Sequence, residues 1–139
     1  MAVMEILFRG KTNSVEWVYG YFVELTDYID ESKKRSMIIP VGSTIYPRCE
    51  IASPIEVIAD TVGQWTGLVD KNGAKIFGGD IVKCSILYDV GCYPHMEIET
   101  RVVTYKDGRF NPLYYCERNN VEVIGNIWDN PELVKSVSE

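Results

Sequence analysis

The chain has a single histidine, His95, and no two of its four cysteines stand at Cys-x-x-Cys spacing. A structural zinc needs four ligands in a tetrahedron. Cys92 and His95 could supply two, but Cys84 and Cys116 are expected on distant strands and there is no second close pair. No zinc site is expected, and a Cys–His nucleophile pair lacks a residue marked to orient the imidazole. There is no P-loop, Gly-x-Ser-x-Gly, dinucleotide fingerprint or His-Glu-x-x-His run. No catalytic residue, metal or cofactor is therefore assigned. Basic residues are also scarce, 14 Lys and Arg against 20 Asp and Glu, for a net charge of −6. Nucleic-acid binding rests on cations that displace counterions from phosphates, so a nucleic-acid partner is possible but disfavoured. No apolar run approaches the roughly 20 residues of a spanning helix, and no membrane association is expected. The first residues place Glu5 where a signal peptide carries base. The expectation is a cytoplasmic protein whose Cys49, Cys84, Cys92 and Cys116 stay reduced.

What is present is period-two patterning over 139 residues, 46% of them hydrophobic. That length suits one ordinary domain. Val15–Leu25, rich in aromatic and β-branched residues, reads as a strand. So do Ser36–Ile39, Thr44–Ile51, Ile55–Ala59, Ala74–Phe77, Ile81–Val90, Glu97–Tyr105 and Val121–Trp128. Phe110–Cys116 is a further candidate, broken at Pro112. Turn signals fall at Asp70–Gly73, Gly79–Asp80 and Asp107–Gly108. Asp27–Arg35 is charged and aperiodic, a solvated loop between strands, and Cys92–His95 reads as a loop around Pro94. One short helix is expected at Pro131–Val137, with Asn130 as N-cap and Pro131 at the first position. The fold class is mostly β with minor α. An N-terminal β lobe covers Met1–Pro54. An SH3-like small barrel follows from Ile55 to Trp128, closed by the terminal helix.

Several motifs stand in a definite order: Phe8-Arg9-Gly10-Lys11, Trp17-Val18-Tyr19-Gly20, Thr61–Leu68, Asp70–Gly73, Lys75–Phe77, Gly79-Asp80-Ile81-Val82 and Val123–Leu133. Together they resemble the YopX family of phage and prophage proteins, over nearly the whole chain from Phe8 to Leu133. Gly78 replaces an acid the family usually has before Gly-Asp-Ile-Val, and Trp65 stands where Tyr is frequent. The resemblance implies a small, mostly β protein of a phage or integrated element, resident in the host cytoplasm. It implies no established activity.

Two groups of residues invite a binding role. In Gly63–Gly67, Gln64 and Trp65 could be presented by an exposed loop; the weightier alternative makes Trp65 a core anchor. Arg9 and Lys11 with Trp17 and Tyr19 could form a basic, aromatic surface, extended by Lys33, Lys34 and Arg35, or an ordinary hairpin. The carboxylates Glu50, Glu56, Asp60, Asp70 and Asp80 could act together, but Asp at turn positions more simply caps backbone N–H groups. The expected function is a non-enzymatic binding module with a protein partner, homo-oligomerisation being possible. A nucleic-acid-associated regulator is the alternative, and an unrecognised small enzyme comes third.

Overall fold

In a computed structural model, residues 5–42, 54–91, 93–114, 116–117 and 120–136 are described. The chain is mostly β, built of several antiparallel sheets. It divides into two compact units, Met1–Trp65 and Thr66–Glu139. The first unit holds β1 (Phe8–Lys11), β2 (Trp17–Thr26), β3 (Lys34–Pro40), β4 (Ile55–Glu56) and the start of β5 (Gly63–Val69). Their order is β4-β3-β2-β1-β5. The strand expected over Thr44–Ile51, with Cys49 and Glu50, lies outside the described residues, as does Cys92.

The expected lobe boundary at Pro54 and the observed division at Trp65 differ for a reason visible around β1. The segment that follows Pro54 folds back onto that strand. Val57 N donates to Ser36 O and Ile58 N to Lys11 O. The Lys11 amide donates to Thr61 Oγ1 at 2.8 Å, and Thr61 Oγ1 donates to Ile58 O at 2.6 Å. Gly10 admits this layer, because a Cβ there would stand 2.8 Å from a Val57 methyl. Extended pairing accordingly stops after Glu56. Ala59–Thr61 is a 3-10 turn and not the end of the strand expected over Ile55–Ala59.

The second unit holds the rest of β5, its neighbour β6 (Lys75–Phe77), a three-stranded sheet ordered β11-β7-β8, and a hairpin of β9 (Thr104–Lys106) with β10 (Arg109–Asn111). In the sheet β7 is Asp80–Val90, β8 is Tyr93–Val102 and β11 is Glu122–Asn126. Its core is Ile76, Val82, Cys84, Ile86, Val103, Leu113 and Val121. Tyr93, Pro94 and His95, expected in a loop, belong to β8 opposite Val90, Asp89 and Tyr88. Pro94 is tolerated there because β8 is the terminal strand of its sheet. Asp107 (φ 55) and Gly108 (φ 78) form the expected hairpin turn, both in the left-handed region. The three-stranded sheet and the hairpin are what the described residues display where an SH3-like barrel was expected.

The terminal helix is a 3-10 helix, Pro131–Ser136. Its expected N-cap, Asn130, points its side chain backward: Oδ1 accepts from the Asn126 amide at 3.2 Å. Asn126 in turn accepts from the Trp128 and Asp129 amides. Gly125 must lack a side chain, since a Cβ there would collide with the Asn130 amide group. The Val123–Leu133 motif thus joins the end of β11 to the 3-10 helix through a self-capped turn at Asn126–Asn130.

Candidate functional site

The register of β1 on β2 pairs Arg9 with Tyr19 and Lys11 with Trp17. Partners across an antiparallel pair share a face, and faces alternate along a strand. Arg9, Lys11, Trp17 and Tyr19 therefore lie on one face, and Tyr21 continues it. Arg9 is buried, with its guanidinium carbon 4.6 Å from the centroid of the Trp17 ring. Lys11 Nζ approaches the same ring at 5.6 Å. Cations over an indole face are attracted by its quadrupole, an effect of roughly 0.5–2 kcal/mol each. Trp17 is half-buried, while Tyr19 and Tyr21 are 44% and 51% exposed. Same-face residues on a strand repeat every ~7 Å, so the three rings form a row on β2.

Two expected residues sit beside this row without joining it equally. Gln64 and Trp65 lie in strand β5, not in a loop, and both are half-buried. Gln64 pairs with Phe8, on the face away from Arg9. The Trp65 amide donates to Leu7 O at 2.7 Å, and alternation from Gly63, the partner of Arg9, puts Trp65 on the Arg9 face. In the basic run at Lys33–Arg35, two of the three cations are already paired with carboxylates. Lys34 is paired with Glu24 at 3.3 Å, and Arg35 with Asp27 at 3.5 Å and Glu56 at 3.7 Å. Tyr21, absent from the expected site, had its signal in the spacing Trp17-x-Tyr19-x-Tyr21.

The second unit carries a polar network on β7 and β8. The Tyr88 hydroxyl donates to Glu99. Arg101 Nη2 donates to Glu99 Oε1 at 3.0 Å and to the Tyr88 oxygen at 3.3 Å. The Tyr88 hydrogen bond, helped by Arg101, holds the Glu99 carboxyl below the usual range although burial opposes it. The same bond, with burial, pushes the Tyr88 hydroxyl up. The His95 ring stacks on Tyr88 at 5.6 Å, and its Nε2 lies 3.3 Å from Glu97. Cys84 and Cys116 are free and hydrogen-bonded to each other. The hydrogen bond with Cys116 lowers the Cys84 thiol, burial working against this, while the same bond and burial raise the Cys116 thiol. Both Glu99 oxygens are engaged, and the thiols face the core. The network holds two strands together.

Asp70 and Asp80 are backbone acceptors. Asp70 takes the amides of Asn72 (2.8 Å), Ala74 (2.9 Å) and Val123 (3.0 Å), and Asp80 takes that of Phe77 (2.8 Å). Among the described residues no three of His, Cys, Asp and Glu gather as a metal would require. Nor is any helix among them long and apolar enough to cross a membrane.

These features define a class: a mostly β chain with an aromatic, cation-backed face in its first unit and a hydrogen-bonded Tyr88–Glu99–Arg101 network in its second. The chain belongs to the YopX family, whose model, described as YopX protein, matches residues 7–135. It is similar to the crystal structure of protein EF1440 from Enterococcus faecalis, at 29% identity over 95% of this chain and 99% of that one, with a TM-score of 0.58. No curated protein matches the chain.

Proposed function

We propose that the chain is a phage or prophage accessory protein of the host cytoplasm that acts by binding a protein partner, without catalysis. The binding surface is the β2 row of Trp17, Tyr19 and Tyr21, with Lys11 at its side. The observation that supports this most is the half-exposure of Tyr19 and Tyr21 on the face where Arg9 is buried beneath Trp17. Tyr and Trp anchor protein interfaces because they offer a large, rigid, amphipathic surface at small entropic cost. Arg9 serves as a pedestal that fixes the indole. A protein suits the face better than a nucleic acid, because Lys34 and Arg35 are already neutralised by carboxylates. One observation favours the second reading, a nucleic-acid-associated regulator: a row of rings beside Lys11 is also how single strands are held.

Affinity capture from host cytosol tests the proposal. It compares the wild type, the double variant Tyr19→Ser/Tyr21→Ser, and a control, Tyr93→Ser, at an exposed position of the second unit. A protein held by wild type and control but lost by the double variant is the expected result. Equal capture by all three rejects the surface. Retention of DNA or RNA that weakens steeply with salt assigns the second reading.

A further inference from the structure

Cys84 and Cys116 are brought together across β7. Cys116 makes an isolated bridge to Ile86, and the neighbouring Glu117 amide donates to Ser85 O at 3.2 Å. Cys84 stands two residues before Ile86, so its side chain leaves β7 on the same face. Both belong to the apolar cluster of the second unit, Cys84 within it and Cys116 packed against it. The two thiols are hydrogen-bonded to each other. The fold thus pairs two cysteines from distant parts of the chain.

Their surroundings favour reaction. Opposite Cys84 on β8 stands Glu99, and Arg101, held by Glu99 at 3.0 Å, follows on the same face. The Cys116 hydrogen bond lowers the Cys84 thiol, and the Arg101 guanidinium works in that direction on both thiols. The thiolate is the nucleophile in thiol chemistry, and a neighbouring arginine favours it. Access differs between the two. Cys84 is closed off, at 1% exposure. Cys116 is half-buried in the wall of an open depression of about 440 Å³, whose other sides are Leu87, Met96, Tyr114 and Glu117. A small solute entering there meets Cys116 first, with Cys84 behind it.

We propose that Cys84 and Cys116 form a reversible oxidation site, which a hydroperoxide converts from two thiols to a disulfide. The Cys116 sulfur takes the outer oxygen of the peroxide. The O–O bond breaks, and the other oxygen leaves with the Cys116 proton as an alcohol, or as water from hydrogen peroxide. The Cys84 sulfur then attacks the Cys116 sulfenic acid. The S–S bond forms, the S–O bond breaks, and the hydroxyl leaves with the Cys84 proton as water. The two thiols lose two electrons and the O–O bond gains them. Cys116 is held by an isolated bridge and not by a ladder, so the sulfurs can close to bonding distance. In a reducing compartment such a bond is transient and redox-sensing.

The test uses the full chain carrying Cys49→Ser and Cys92→Ser, which leaves this pair alone. After hydrogen peroxide, the folded chain is expected to lose the mass of two hydrogens and, once unfolded, to take up no iodoacetamide. Dithiothreitol should reverse both changes. Digestion should give one linked peptide containing Cys84 and Cys116. The bond should form at least about tenfold faster in the folded chain than in urea, where the sulfurs meet only by loop closure. Adding Cys84→Ala should stop the reaction at a sulfenic acid on Cys116, trapped by dimedone. Adding Cys116→Ala instead should leave Cys84 unreactive while the chain is folded. Where an alanine variant fails to fold, the parent's mass and its folded and urea rates still decide. Two alkylatable thiols after peroxide overturn the proposal. So does a rate no higher than in urea, or Cys116 driven to sulfinic acid with Cys84 still free. Cys84 reacting readily without Cys116 overturns entry through the depression. In the unsubstituted chain, a disulfide through Cys49 or Cys92 in place of the pair overturns the site.

Discussion

Two glycines with the same backbone angle separate two physical roles. Gly73 (φ 84) and Gly79 (φ 90) both occupy the left-handed region, which costs an L side chain roughly 1–2 kcal/mol. Around Gly73 nothing lies within 4 Å of an added Cβ, whereas at Gly79 the Trp128 ring occupies that space. Gly73→Ala should cost about 1 kcal/mol from strain alone. Gly79→Ala should cost about 3 kcal/mol, because it also displaces the indole. Chemical denaturation measures both, and equal losses would remove the steric half of this account. Asp70 gives a third residue test. Burial pushes its carboxyl up, but three backbone amides and Lys71 outweigh that and bring it below the ordinary 3.8. A depressed carboxyl contributes stability that is whole above its unfolded value and is lost as pH falls through the folded one. Asp70→Asn should therefore be less stable at neutral pH by about 2 kcal/mol. The gap should narrow below pH 3.8.

The β1–β2–β3 meander shows what sequence can and cannot say about an element. Val15–Leu25 reads as a strand because its aromatic and β-branched residues suit a pleated surface, and β2 is there. The row Trp17, Tyr19, Tyr21 was equally legible, since it needs only period two. Arg9 beneath Trp17 was not, because it depends on the register of two strands, and nothing local states the register. Pro94 read as a loop because Pro interrupts a ladder; an edge strand removes that penalty, and edges are set by topology. Asp27–Arg35 read as a solvated loop because its charge is visible and its hydrogen bonds are not, and Lys34 and Arg35 in fact begin β3. Asp27 and Asp30 are lowered chiefly by hydrogen bonds from Asp30 N and from the Ser32 hydroxyl, respectively. By the same linkage, the order of this loop should hold at neutral pH and loosen as pH falls below 3.8. Amide exchange at Ile29 and Ser32 would report it, and protection unchanged in acid would contradict the role of these carboxylates. Val15, at φ 61 in the β1–β2 turn, is a β-branched residue in a conformation it disfavours. Val15→Asn should stabilise the protein by roughly 0.5–1 kcal/mol, read as a raised Tm.

For the molecule as a whole, the family motifs prove to be mostly architecture. Gly79-Asp80 and Val123–Leu133 meet in one unit, where Gly79 accepts from Ile127 N at 3.0 Å and lies beneath Trp128. Asp70 ties its turn to β11 through Val123. Gly10 and Thr61 bind a second layer to β1 in the other unit. With these positions committed to folding, the row on β2 stands out, because Tyr19 and Tyr21 keep 44% and 51% of their surface exposed. Hydroxyl-radical footprinting of the chain with its captured partner reads that surface most directly, since Tyr and Trp are the side chains labelled. Tyr19 and Tyr21 should lose labelling on binding, while Tyr93 and Tyr105, exposed in the second unit, keep theirs. Protection of Tyr93 and Tyr105 with Tyr19 and Tyr21 unchanged would contradict the assignment of the β2 face.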